Sequence, residues 1–201
     1  MRRESGFETG SVLSRWSPGT FRCTTKSWVS RRSPAVTGAD EDIASLVERV
    51  AALLMARNVR LATAESCTGG WLAKSLTDLP GSSAWFEFGF VAYGNNAKET
   101  LLAVDPLSIE RYGAVSREVA IQMAVTARAV SEADIAVAVT GIAGPDGGTP
   151  EKPVGTVWLA WDGPDRRAST RLEHYVGDRR AVRRQALLAA LTGLLRQLAD
   201  G

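Results

Sequence analysis

Histidine is nearly absent from this sequence: His174 is the only one in 201 residues. That excludes a multi-histidine metal site and, unless His174 itself serves, a Ser-His-Asp triad. Cysteine is almost as scarce, with only Cys23 and Cys67, which excludes a disulfide scaffold or a cysteine-rich zinc site. No apolar run approaches the roughly 18 residues that a membrane span needs, so no membrane segment is expected. An excess of one charge is missing too, once the chain is divided. The net +2 arises in residues 1–38, which hold seven Arg and Lys against two Glu, whereas the remainder holds 17 basic against 20 acidic side chains. A mildly acidic body is not built to neutralise phosphate backbones, so no nucleic-acid partner is expected. Asp78, Glu87, Asp105 and Asp134 show no metal-ligand spacing, and neither metal nor cofactor is expected.

What is present is a chain with 45% hydrophobic residues, enough for a real core. Residues 1–38 are rich in Ser, Arg, Thr and Gly and lack periodicity; Trp16, Phe21 and Trp28 are scattered through them. The composition is that of an organelle transit peptide, or equally of an unstructured extension or a misassigned start, and it is not a secretory signal because there is no apolar centre. The body is expected over 39–201, in the cytoplasm unless the extension targets it elsewhere. Ile43, Leu46, Val47, Val50, Leu53 and Leu54 mark one face of a helix, with Asp40 as its expected N-cap.

A strand over Val59–Glu65 and a helix over Trp71–Leu79 follow, joined through Gly69-Gly70. Trp85–Tyr93 reads as a strand, Ala97–Leu102 and Pro106–Arg111 as short helices, and Ser116 caps a helix to about Ser131. The apolar Ile135–Thr140 is expected to be a central strand, and a glycine- and proline-rich stretch runs from Gly141 to Val154. Thr156–Trp161 and Thr170–Val176 are expected to form a hairpin across Asp162-Gly163-Pro164, before a last helix capped by Asp178. Its Val182, Leu187, Leu188, Leu191, Leu194, Leu195 and Leu198 form a wide apolar stripe. This alternation predicts a three-layer α/β/α sandwich with a mixed, mostly parallel sheet.

Three segments could carry chemistry. In Glu65-Ser66-Cys67-Thr68-Gly69-Gly70 a strand turns into a helix, where free N–H groups and the helix dipole suit an oxyanion. The same residues equally suit a plain capped turn, with Ser66 or Thr68 as the cap. Cys67 competes with Ser66 as nucleophile, but a cysteine nucleophile is usually matched with a histidine, which favours Ser66. Tyr93 and Lys98 lie just past the next strand; if the two strands run parallel, they reach the same carboxyl edge as Ser66. A neutral lysine can take the serine proton and a tyrosine can relay or orient it. Third, the loop with Thr140, Gly141, Gly144, Gly147, Gly148 and Thr149 can cradle an anion through backbone N–H groups, aided by Lys152. Arg179-Arg180 and Arg183-Arg184 read as a solvated helix face.

Taken together, TAESCTGG (63–70), PGSSAWFEFGFVAYGNNAK (80–98), GAVS (113–116) and AVTGIAGPDGGTPEKPVGTVW (138–158) resemble the CinA C-terminal domain family, over about residues 41–199. The resemblance implies an α/β/α sandwich that forms dimers or larger homo-oligomers. It implies hydrolysis of the carboxamide of nicotinamide mononucleotide to nicotinic acid mononucleotide and ammonia, without a metal, in pyridine nucleotide salvage. Ser66 would be the nucleophile, Lys98 and Tyr93 the base pair, and Cys67, Thr68, Gly69 and Gly70 the oxyanion turn. Glu65, Asn95, Thr140, Gly141, Gly144, Gly147, Gly148 and Thr149 would contact the nucleotide. Gly94 and Asn96 replace the usual serine and glutamate, and Phe88 replaces a common Arg or Gly. Two other classes stay open: a nucleotide-binding module with little catalysis, and an interaction protein acting through residues 1–38.

Overall fold

The computed structural model describes residues 38–163 and 166–199, with the side chains of 38–42 and 166–167 left aside. The calls on residues 1–37, including Trp16, Phe21 and Trp28, therefore lie outside the described residues. Helix α1 (Gly38–Arg57) is followed by β1 (Leu61–Glu65), α2 (Trp71–Thr77), β2 (Phe86–Val91), α3 (Asn95–Leu102), α4 (Pro106–Tyr112) and α5 (Arg117–Ser131). Then come β3 (Ile135–Gly141), β4 (Thr156–Gly163), β5 (Arg166–His174) and α6 (Arg179–Ala199). The first helix begins before Asp40, which thus sits inside its first turn and not at the cap.

The sheet order is β2-β1-β3-β4-β5. β1 pairs in parallel with both β2 and β3, and β4 runs antiparallel to β3 and to β5, so it alone points the other way. The β4–β5 hairpin is longer than its apolar residues suggested, reaching Gly163 and restarting at Arg166.

Alternation along the strands splits the core in two, because successive side chains point to opposite faces. Leu61, Ile135, Val137, Val139, Val157, Leu159 and Trp161 face α1, α2 and α6. Ala62, Ala64, Ala136, Ala138 and Ala160 face the other way, onto α5 and the segment around Leu102 and Val104. Three layers result. One face is paved with alanine, so α5 approaches the sheet closely through Val119, Ala120, Met123, Ala124 and Ala127. The other is built from large aliphatics. Among the described residues no helix is long and apolar enough to cross a membrane.

The expected caps of α5 and α6 form, unlike that of α1. Ser116 Oγ accepts from the Val119 N–H at 3.3 Å, and Asp178 Oδ1 from the Ala181 N–H at 2.8 Å. α4 adds a third, with Asp105 accepting from Leu107 and Pro106 at its first position.

Candidate active site

Parallel pairing of Glu65 with Val91 brings the ends of β1 and β2 to one edge of the sheet. Ser66 leaves β1 there, held by its N–H to the Val139 carbonyl at 2.9 Å. Ala92 follows β2, its N–H on the Glu65 carbonyl at 2.8 Å. Helix α3 begins three residues later and carries Lys98 back under that edge.

Lys98 is 1% exposed. Its Nζ lies 3.0 Å from Ser66 Oγ, 3.0 Å from the Ala92 carbonyl and 3.1 Å from the Tyr93 carbonyl. None of these partners is charged. Burial without a counter-ion holds the lysine pKa below its ordinary value, the neighbouring Cys67 opposing this only in part. In its neutral form the amine would have two N–H donors for the two carbonyls and a lone pair for the serine hydroxyl, whose Oγ also lies 3.4 Å from the Tyr93 carbonyl. That arrangement is what a base acting on Ser66 needs.

Cys67 belongs to the core cluster and also lines the cavity over Ser66. It is buried, and burial pushes its thiol up to about 12, so the nucleophilic thiolate is scarce at neutral pH. The two neighbours thus differ in environment: the serine hydroxyl lies beside the Lys98 amine, and the cysteine is part of the core cluster.

Tyr93 departs from its expected role as a proton relay. Its backbone carbonyl, not its phenol, meets Lys98. The side chain is 58% exposed, and its hydroxyl accepts from Arg179 Nη2 at 2.7 Å at the pocket mouth. Glu65 departs too. The carboxylate is fully buried and accepts from the N–H groups of Gly70 and Leu72 at 3.0 Å each and of Ala73 at 2.8 Å. It satisfies three N–H groups at the start of α2, and both of its oxygens are engaged there. Neither Ser66 nor Thr68 caps that helix; the N-cap is Gly70 at φ 87°, a conformation that favours glycine.

Capping also narrows the expected oxyanion turn. The Gly69 N–H bonds the Ser66 carbonyl at 3.0 Å and the Gly70 N–H is taken by Glu65. Among the described residues no acceptor on another residue meets the N–H of Cys67 or Thr68.

A cavity of about 190 Å³ opens over Ser66 and Lys98, lined also by Cys67, Tyr93, Asn95, Ala114, Val115, Thr140, Gly141, Ala143 and Arg179. The GAVS segment thus reaches the site, through Ala114 and Val115, where it had not been expected to. Thr140 Oγ1 donates to the Ala114 carbonyl at 2.9 Å and so ties that wall to β3. The glycine loop contributes only its first part. Gly144 offers its carbonyl to Arg179 at 2.7 Å, while Gly147, Gly148 and Thr149 do not line the cavity. Thr149 Oγ1 instead accepts from the Lys152 N–H, and the Lys152 ammonium is spent on the Tyr112 and Val115 carbonyls. The expected anion cradle at the far end of this loop is therefore corrected: those groups serve the loop.

Cationic groups for an anion lie elsewhere. A larger cleft of about 560 Å³ is lined by Trp71, Asp178, Arg179, Arg180 and Arg183, and Arg179 lines both cavities. These arginines are not simply a solvated face. A signal was available in the sequence, because basic residues in the first turns of a helix oppose its dipole and need some other reason to be there.

The family model described as the CinA C-terminal domain matches residues 43–198. The chain is 51% identical over 158 residues to the nicotinamide-nucleotide amidohydrolase PncC of Escherichia coli strain K12, covering 79% of this chain and 96% of that one. It is 51% identical over 155 residues to the enzyme of the same name from Pseudomonas putida. Among solved structures, the competence/damage inducible protein CihA from Agrobacterium tumefaciens superposes with a TM-score of 0.77 at 41% identity, covering 82% of this chain and 98% of that one.

Proposed function

The chain belongs to the CinA C-terminal domain family, and from that premise we propose that it is a nicotinamide-nucleotide amidohydrolase working through a Ser66–Lys98 dyad, in pyridine nucleotide salvage. The observation that carries the reading is the buried Lys98 amine, without a counter-ion, 3.0 Å from Ser66 Oγ. The names of the E. coli and P. putida relatives support the choice of substrate.

In this mechanism the neutral Lys98 amine accepts the Ser66 hydroxyl proton as Oγ bonds to the carboxamide carbon. The carbonyl oxygen takes up the negative charge and is met by the N–H groups of Cys67 and Thr68, donors of a kind worth about 3–4 kcal/mol each in comparable sites. The tetrahedral adduct collapses with cleavage of the C–N bond, and the Lys98 ammonium returns its proton to the departing nitrogen, giving ammonia and an acyl-Ser66 ester. A water molecule, deprotonated by Lys98, then attacks the ester and restores Ser66 as the acid leaves.

The phosphate of the nucleotide is assigned to the arginine cleft, where Arg179, Arg180 and the start of α6 gather positive charge beside the dyad. Tyr93 and Asn95 border the ring end of the substrate. Cytoplasmic action and a homo-oligomeric state accompany this proposal, as does a body over 39–201 that acts without the preceding residues.

The test is release of ammonia and of the acid nucleotide from nicotinamide mononucleotide, beside the unphosphorylated riboside. The account expects hydrolysis of the nucleotide, a much higher KM for the riboside, and a KM for the nucleotide raised roughly tenfold in Arg180→Ala, about the loss of one charge-assisted contact. Binding of the nucleotide without ammonia release would make the protein a binding module.

A further inference from the structure

The Ser66–Gly70 turn carries the proposed nucleophile, and a residue more than a hundred positions away hydrogen-bonds to it. Arg183, on α6, donates from Nε to the Cys67 carbonyl at 3.1 Å and from Nη2 to the Thr68 carbonyl at 2.6 Å. Its guanidinium lies 5.5 Å over the Trp71 ring, so its plane is fixed from the other side. Gly69, at φ +60°, adjoins it, with a Cβ there falling in ordinary contact with Nη2 at 3.5 Å.

The peptide units decide what this contact does. The two N–H groups of the turn without an acceptor belong to the peptides Ser66–Cys67 and Cys67–Thr68. The carbonyl of the first accepts from the Gly69 N–H, and the carbonyl of the second accepts from Arg183. A cation on a peptide oxygen draws electron density out of the amide nitrogen and makes its N–H a stronger donor, as along any hydrogen-bonded chain. The same fork holds the Cys67 and Thr68 carbonyls and so stops the peptide between them from flipping.

We infer that Arg183 is a positioning residue for the reaction, holding and polarising the Cys67–Thr68 peptide so that the Thr68 N–H stabilises the oxyanion. The inference rests on the amidohydrolase reading above. It also gives one arginine of the cleft a task other than holding phosphate: Arg179 and Arg180 would govern KM, and Arg183 would govern kcat.

The test compares wild type, Arg183→Ala and Arg183→Lys for ammonia release from nicotinamide mononucleotide, with melting curves for each. Arg183→Ala should lose about 10- to 100-fold in kcat, below the loss for a direct oxyanion donor because the effect is indirect, with KM within about twofold. Millimolar guanidinium added to Arg183→Ala should restore part of kcat, and Arg183→Lys, able to reach one carbonyl, should fall between. A raised KM with kcat intact would overturn the inference by making Arg183 a substrate-binding residue. So would a kcat loss that guanidinium leaves unchanged, which would assign a merely structural role. If Arg183→Ala does not fold, the Arg183→Lys variant decides by the same split between kcat and KM. An inactive wild type would instead remove the amidohydrolase reading beneath it.

Discussion

At the scale of single residues, Lys98 has the most determined environment in the molecule. Its pKa is lowered by burial, so between that folded value and the unfolded value of about 10.4 the unfolded chain binds more protons than the native one. Native stability therefore rises with pH across that window. Replacing Lys98 by Met removes this dependence, so the wild type should gain melting temperature relative to Lys98→Met as pH rises from 6 to 9. Activity follows the same proton: kcat/KM should climb with pH through the lowered pKa and then level off, whereas Lys98→Arg, whose guanidinium cannot give up its proton, should lose at least about 10²-fold at every pH. A pH series of melts and rates checks both. The Ser66–Lys98 pairing was legible from order and spacing, because both follow strands of a parallel pair. The Tyr93 phenol was not, since adjacency to Lys98 cannot say whether the ring or the carbonyl turns inward. Here the carbonyl does.

At the scale of elements, the short helix α2 owes its start to one carboxylate. Glu65 binds three N–H groups that would otherwise be orphaned where the helix begins. Glu65→Ala should cost about 2–3 kcal/mol and lower kcat as well, because the residue next to Ser66 would no longer be anchored; thermal melts and ammonia release report the two effects. No sequence pattern announces this cap, since Glu65 ends a strand and turns back onto a helix that begins after the turn. The expected cap residues Ser66 and Thr68 were plausible by type alone. Helix α6 gives a second prediction, in which packing reverses propensity. Alanine is favoured over glycine within a helix by about 1 kcal/mol, yet a Cβ on Gly193 would stand 2.0 Å from the Trp161 ring. Trp161 cannot move freely, since its Nε1 donates to the Ala190 carbonyl at 3.2 Å. Gly193→Ala should therefore destabilise by about 1–3 kcal/mol, as overpacked cores do, and a denaturant titration measures it.

At the scale of the whole molecule, the sheet order explains why the site lies where it does. β1 sits between β2 and β3, all pointing the same way; Ser66 follows the carboxyl end of β1, and Lys98 comes from α3, which follows the carboxyl end of β2. The layers were readable because helices alternate with strands along the chain; the division of alanine and large aliphatics between the two faces came from the structure. The arginine cleft was not, because it depends on how the start of α6 meets the Ser66 turn, a contact that spans 115 residues or more. Family membership and fold place this chain beside named amidohydrolases; the dyad is the claim on which the chemistry stands. The most direct measurement is the rate of ammonia release from nicotinamide mononucleotide by wild type, Ser66→Ala and Cys67→Ala under one set of conditions. The account predicts Cys67→Ala within about threefold of wild type and Ser66→Ala lower by at least about 10³-fold. Activity retained in Ser66→Ala and lost in Cys67→Ala would contradict it.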